Sequence, residues 1–454
     1  MLTRLMLPML AGLLLGIRGG LATEPLNVLF IPIDDLNHWV GHLGAHPQAR
    51  TPNIDRLAAA GVSFTHAYCA APACNPSRIA LMSGLRPSTS GCYDNGQDWR
   101  PYVEIDKLLN SHLLDHGYAC YGAGKIYHGS YGNTDRWTEF HKSSNTKLRR
   151  HPTAKDDGVG GIKFYPLDNS DEDMPDYKNV SWAIEQLRRE HDRPFFLAIG
   201  LHKPHMPFSV PKKWFDMFPL ESIELPPHIE NDLADVPPEG VKMARPEGDH
   251  AKILASGRWK EAVQAYLATI AFADAQVGRL LDALEASPYA KNTVVCLWSD
   301  HGWSLGEKEH WRKFALWEEP TRTVYIWKVP GLTPAGTPCH RPVDLMSVYP
   351  TMCTVLGLPR PAHVEGADIR PLLANPQADW ELPALTTFHR NNHSLRDATW
   401  RYIRYAEGGE ELYNHATDPH EWTNLANDPK YAPVKERLER FFPARNAPEL
   451  PRVR

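Results

Sequence analysis

Beyond its first two dozen residues the 454-residue chain has no apolar run near the ~20 residues that a membrane-crossing helix needs, which excludes a helical membrane protein over that length. It has no surplus of positive charge: 49 basic against 54 acidic residues leave a net charge of −5, which gives no support for nucleic-acid binding. It has no internal repeat and no pair of cysteines spaced as C-x-x-C, so no zinc-ribbon pattern is present. The seven cysteines (69, 74, 92, 120, 296, 339 and 353) are too sparse for a small disulfide-held scaffold, and their odd number leaves at least one with another task. What is there is ordinary for a packed globular protein, 42% hydrophobic and 23% charged, which excludes a disordered chain. The 40 prolines and 31 glycines point to long, shaped loops.

The first 22 residues carry Arg4, an apolar stretch over residues 5–17, and the small residues Gly20 and Ala22. That order is a secretory signal peptide. Residues 1–22 are therefore expected to be removed, and the protein to be exported in soluble form to a periplasm or beyond, with no transmembrane segment.

Residues 26–33 (LNVLFIPI), 194–200 (PFFLAIG) and 292–300 (NTVVCLWSD) read as strands buried on both faces, with a shorter one over 118–122. Helices are expected over 53–61, 73–83 (beginning near Pro76), 104–116, 259–284 and 344–357. The alternation predicts an α/β fold around a mostly parallel sheet. Past residue 376 the pattern turns to short antiparallel strands (385–388, 399–405, 411–413) and a closing helix over 434–442. This sets a catalytic domain at 23–375 and a smaller C-terminal subdomain at 376–454. Residues 142–177 and the proline-rich 218–257 lack a period and read as functional loops bearing on substrate choice.

In an open α/β sheet ligands gather at the carboxyl ends of the strands. Asp34 and Asp35 end the first strand, Lys125 and His128 follow another, His202, Lys203 and His205 follow the strand at 194–200, and Asp300 and His301 end the strand at 292–300. Three carboxylates there suit Ca²⁺ or Mg²⁺ better than zinc. Cys74 starts a helix, where free N–H groups favour an anion, and Arg78 lies one turn on, on the same face. Trp39, Trp99, Trp303 and Trp311 fall near this edge and are candidate sugar platforms.

Cys74-Asn75-Pro76-Ser77-Arg78 resembles the C-x-P-S-R signature of the type I sulfatases, in which the cysteine is oxidised to formylglycine. The resemblance extends over nearly the whole chain: Asp34-Asp35, Thr51-Pro52-Asn53-Ile54-Asp55, Gly124-Lys125-x-x-His128, Asp274-Ala275-Gln276-Val277-Gly278, and the late Glu411-Leu412-Tyr413-Asn414 with Asp418-Pro419 and Asn424-Leu425. Within the family the chain is most like the iduronate-2-sulfatase branch and its bacterial members, through Gly124-Lys125-Ile126-Tyr127-His128, His202-Lys203-Pro204-His205 and Ser299-Asp300-His301-Gly302-Trp303. It departs at Ser83-Gly84-Leu85-Arg86, where the family usually has Thr-Gly-Arg.

The resemblance implies an alkaline-phosphatase-like sandwich and a sulfuric ester hydrolase. It implies one Ca²⁺ held by Asp34, Asp35, Asp300, His301 and the modified Cys74, and maturation by a formylglycine-generating enzyme. The catalytic set is then Cys74, Arg78, Lys125, His128, His205 and Lys313: Arg78 and Lys125 near nucleophile and sulfate, His128 as base for releasing sulfate from the enzyme, His205 and Lys313 at the leaving oxygen, with His205 the general acid. Lys203 is expected to contact substrate. The substrate is expected to be a sulfated saccharide such as a 2-O-sulfated uronate. Two other readings stand beside this one: a choline sulfatase or related phosphoester or phosphonate hydrolase, and an inactive protein that binds sulfated glycans.

Overall fold

The structure, a computed structural model, describes residues 25–143 and 146–453, so the leader expected over residues 1–22 lies outside the described part. Strand β1 (Asn27–Ile33) is buried along its whole length and lies at the middle of a seven-stranded sheet. The other strands are β2 (Val62–Ser63), β3 (Ala119–Gly124), β4 (Glu139–His141), β5 (Phe195–Gly200), β6 (Thr293–Ser299) and β7 (Tyr325–Lys328), in the spatial order β2-β7-β6-β1-β5-β3-β4. β1 runs parallel to β5 and β6, with Val28 opposite both Phe196 and Val294, and β3 runs parallel to β5 and β4. Only β7 is antiparallel to its neighbours.

The unbroken apolar runs of β1, β5 and β6 follow from this placement, because both faces of the sheet are covered. On one face Leu29, Leu197 and Leu297 pack with Val263, Leu267 and Ile270 of the 27-residue helix Trp259–Glu285. On the other, Phe30, Phe196 and Trp298 pack with Ile79 and Leu81 of the helix Cys74–Ser83. In chain order the helices used below are α1 (Pro52–Ala60), α2 (Cys74–Ser83), α3 (Pro175–Arg188), α4 (Pro238–Ala244), α5 (Asp249–Ser256) and α6 (Trp259–Glu285).

Two expectations need correction. α2 starts at Cys74 rather than near Pro76, and residues 218–257 are not simply loop, since they contain α4 and α5. Pro238 is the first residue of α4, as Pro175 is of α3, and proline is tolerated there because a first-turn N–H has no partner within the helix. Prolines that look like loop markers in the sequence are thus helix starts.

The C-terminal part forms an antiparallel sheet of β8 (Ala384–Thr387), β9 (His393–Arg396), β10 (Trp400–Arg404) and β11 (Glu410–Asn414), followed by the helix Ala432–Glu439. β9 is not legible in the sequence because it reads His-Ser-Leu-Arg, yet it is buried throughout between two neighbours. The sheet is tied to the segment before Cys74: Thr387 N–H donates to Ala70 O (2.9 Å) and the Thr386 hydroxyl to Cys69 O (2.6 Å). All seven cysteines are buried and unpaired. Among the described residues no helix is long and apolar enough to cross a membrane.

Candidate active site

The ends of four parallel strands converge. Asp34 N–H donates to Leu201 O (3.2 Å), Asp300 N–H to Ile33 O (3.2 Å), and Lys125 N–H to Gly200 O (3.0 Å), so the segments leaving β1, β6, β3 and β5 stay together for one more residue. Gly124 has φ of +72°, and a Cβ there would lie 2.0 Å from Gly200 O, so only glycine lets the chain turn Lys125 into this space. Asp35 adopts φ of +58°, an uncommon value for a residue with a side chain. It is held by its N–H donating to Asp300 Oδ1 (3.1 Å) and by the Tyr266 hydroxyl of α6 donating to its carbonyl (2.7 Å). The Ser77 hydroxyl donates to Asp300 O (2.5 Å), which pins the first turn of α2 against the end of β6.

Around the Cys74 sulfur stand Lys313 Nζ at 3.0 Å, His301 Nε2 at 3.4 Å, Asp35 Oδ1 at 3.7 Å and Lys125 Nζ at 3.8 Å. Lys313 also donates to Asp35 Oδ1 (2.7 Å), and Lys125 pairs with Asp34. Burial works against the Asp34 carboxylate, but Lys125, His205, Arg78 and Lys313 together hold its pKa well below the usual range. Burial also opposes the Lys313 ammonium, and the Asp35 carboxylate overrides it and raises its pKa. The Cys74 thiol goes the other way: burial pushes it up to about 12 despite Lys125 and Lys313.

Asp34, Asp35, Cys74, Asp300 and His301 present ligand atoms all within 4.8 Å of one another, and the five residues are buried. Asp35 Oδ2 is buried with no hydrogen-bond partner. Three carboxylates with one such free oxygen fit a hard divalent cation, and replacing the sulfur at position 74 by oxygen would improve that fit.

The structure brings the other sequence-derived residues to the same place, with two differences. Arg78 does not face open space: it is fully buried, with Nε on Asp300 Oδ2 (2.8 Å), Nη2 on Asp34 Oδ1 (3.1 Å) and Nη1 on the Lys125 and Ile126 carbonyls. Lys203 is 5% exposed and its ammonium donates to the carbonyls of Pro207 (2.6 Å) and His205 (3.2 Å), inside its own loop. His205 Nε2 lies 3.8 Å from Asp35 Oδ2 with its side chain partly exposed. The Nδ1 of His128 is buried without a partner, and burial, aided by Lys125, lowers the ring's pKa to about 4. Sequence reasoning gave no role to Ser77, although it lies within the signature, or to Tyr266, which hides among the core positions of α6; His202, one of the strand-end groups, has its Nδ1 3.8 Å from Asp34 Oδ2. Trp39, Trp99, Trp303 and Trp311 are not sugar platforms, since each is at most 3% exposed and packed in the interior.

The profile of the sulfatase family matches residues 26–358, a span that contains every residue of this cluster. The chain belongs to the sulfatase family. A second profile, described as N-sulphoglucosamine sulphohydrolase, C-terminal, matches residues 306–446. This sulfatase is 40% identical over 450 residues to a sulfatase of Formosa agariphila, covering 93% of this chain and 87% of that one. It is 31% identical over 388 residues to iduronate 2-sulfatase of Homo sapiens, covering 75% of this chain and 70% of that one. A solved 2-O GAG sulfatase shares the fold with a TM-score of 0.72 at 22% identity, covering 92% of this chain and 91% of that one. The phosphonate monoester hydrolase of Agrobacterium radiobacter shares it with a TM-score of 0.77 at 22% identity, covering 91% and 94%. The fold is thus the expected alkaline-phosphatase-like one, and family membership makes the protein a sulfuric ester hydrolase.

Proposed function

We propose that this sulfatase releases inorganic sulfate from a sulfated saccharide, such as one bearing a 2-O-sulfated uronate, using formylglycine at position 74 and one Ca²⁺ ion. The observation that carries the reading is the setting of Cys74, whose sulfur has two ammonium groups, an imidazole and a carboxylate within 3.8 Å. The saccharide class is supported by the relative named iduronate 2-sulfatase. Export after loss of residues 1–22, maturation by a formylglycine-generating enzyme, and division into a catalytic domain (23–375) and a C-terminal subdomain (376–454) belong to the same reading.

Asp34, Asp35, Asp300, His301 and position 74 would hold the cation. It supplies Lewis-acid polarisation of sulfate oxygens, while formylglycine supplies, as its hydrate, a hydroxyl nucleophile. The remaining residues bind, orient and move protons. Lys125 and Lys313 place two positive charges beside position 74, where charge builds on the sulfate group, and cost no reorganisation because carboxylates already hold them. Arg78 acts as a positioning residue that fixes Asp34 and Asp300. His205, at the partly exposed rim, is the candidate proton donor to the leaving alcohol oxygen, a role that needs the imidazolium, which burial disfavours and the Asp34 carboxylate favours. Neutral His128, with its Nδ1 free, can take the proton whose loss releases sulfate from position 74. Lys203 holds the His205 loop through two carbonyls, and touching substrate would require it to give them up.

The mass of the Cys74 peptide, from protein made with the maturation enzyme, tests the nucleophile: sulfur replaced by an aldehyde oxygen is expected, and an unmodified thiol would sink the mechanism. A chromogenic sulfate ester assayed beside the matching phosphate ester tests the reaction class, and faster phosphate release would favour the hydrolase related to phosphonate chemistry.

A further inference from the structure

A cleft of about 790 Å³ runs along segments next to several candidate catalytic residues, none of which lines it, and the mechanism above makes no use of it. Three of its lining residues connect to the segments that carry candidate catalytic residues. Phe314 follows Lys313, and Asn95 accepts a hydrogen bond from the N–H of Asn75, next to Cys74 (2.9 Å). Gly161 lies in the hairpin whose Lys163 N–H meets the sulfur of Met206, next to His205 (3.3 Å). The opposite wall is built from α4 and α5, so both long aperiodic stretches of the sequence, 142–177 and 218–257, meet here.

The lining has the two features that a charged sugar needs. Phe314, partly exposed and backed by buried Phe388 (ring centroids 5.9 Å apart), offers an apolar surface for the C–H face of a sugar ring. Lys242, on α4, and Arg245, which follows it, line the same space. Most lining charges are already engaged: Arg312 pairs with Asp249 (2.7 Å), Arg452 with Asp94 (2.5 Å), and Glu239 accepts from Gly409 N–H (3.2 Å). Among the described residues Lys242 and Arg245 make no ion pair or side-chain hydrogen bond, and both are exposed. Arg245 also sits at φ of +54°, a conformation that costs free energy for a residue with a side chain. Its loop is coupled to the reaction centre by buried His310, whose ring nitrogens lie 2.8 Å from Ala244 O and 2.7 Å from Lys313 O.

We propose that this cleft holds the saccharide unit next to the one being desulfated, with a sulfate on that flanking unit paired to Arg245 and Lys242 and its ring laid on Phe314. The proposal rests on the saccharide reading above and adds that the enzyme selects for a charged neighbour. The test uses three substrates: the 2-O-sulfated uronate as its methyl glycoside, a disaccharide that links it to an uncharged hexosamine, and the same disaccharide with a sulfated hexosamine. The readout is kcat/KM for the charged disaccharide divided by kcat/KM for the uncharged one.

In the wild type this ratio is expected to be on the order of ten at low salt and to fall as salt rises. In the double variant Lys242→Ala, Arg245→Ala it is expected to fall to about one, mostly through KM. Because each enzyme is its own reference, partial loss of folded protein does not mimic the effect. A wild-type ratio near one, or a ratio unchanged in the variant, overturns the cleft's role while leaving the saccharide reading intact. Sulfate release from an aryl sulfate with none from the three saccharides overturns the saccharide reading itself, and the cleft assignment with it.

Discussion

At Cys74 burial and positive charge pull in opposite directions, and burial wins: the thiol is pushed up to about 12 in spite of two lysines. Burial thus disfavours the thiolate form, which fits the proposed oxidation of the side chain. Replacing Cys74 by Ala is expected to lower sulfate release by at least about a thousandfold, measured as initial rate on a chromogenic sulfate ester. Removing Lys313, which touches both Cys74 and Asp35, should cost about 10²–10³ in kcat, with partial recovery in Lys313→Arg, because a charge is lost where the sulfate oxygens would sit. Chelation provides a separate check. Dialysis against a chelator should abolish activity and lower the unfolding temperature, because Asp34, Asp35 and Asp300 are then left crowded, and Ca²⁺ should restore both. Activity that survives thorough chelation would remove the metal from the mechanism. Most of these residues were legible in the sequence, since carboxylates and histidines placed just past apolar strands stand out. The direction of Arg78 was not, because a helical position says which face a side chain leaves from and not which carboxylates will capture it.

Between elements, two short family motifs prove to be one contact. The Asp274 carboxylate on α6 accepts from the N–H groups of Asn53 (3.1 Å) and Ile54 (2.8 Å) and from the Asn53 amide (2.8 Å), so it satisfies the free donors at the start of α1. One turn on, a Cβ at Gly278 would lie 2.5 Å from Asn53 Oδ1. Asp274→Ala is expected to destabilise the fold by about 1–3 kcal/mol through lost capping bonds. Gly278→Ala should cost about 1–3 kcal/mol by overpacking. Chemical denaturation measures both, and a neutral result at either position would show that α1 is held by its apolar face alone. In the sequence Asp274 is one polar residue on a long amphipathic helix, and nothing local marks it as a cap for a helix more than two hundred positions earlier.

For the molecule as a whole, the C-terminal sheet is joined to the catalytic part through buried charge. Arg401 on β10 pairs with Glu318 and Glu421, and His415 Nε2 lies 2.8 Å from Glu421. Burial opposes both carboxylates, but His415 and Arg401 hold Glu318 well below the ordinary value of 4.5, and Arg401 and His415 lower Glu421. A carboxylate depressed in the folded state stabilises it fully above the ordinary value and loses that contribution as pH falls through the lower, folded one. The unfolding temperature is therefore expected to drop below about pH 4.5. Arg401→Met should cost about 3–5 kcal/mol at neutral pH, since it strands two buried carboxylates, and should flatten the acid-side loss. A variant with unchanged stability and the same acid profile would show that the ion pairs do not hold the two sheets together.

The amino-acid order alone established the buried parallel strands, the long helix α6 and the set of groups at the strand ends, because each of these leaves a local mark: an apolar run, a 3.6-residue period, a motif. It also established the sulfatase likeness, since the Cys74–Arg78 signature lies within a single helical turn. The fold decided the rest. It turned Lys203 into its own loop, buried the four tryptophans at the sheet edge, placed Tyr266 under Asp35, and brought the α4–α5 segment opposite Phe314 to form the cleft. Each of those outcomes depends on contacts between residues far apart in the chain, and their geometry is set by how the layers pack.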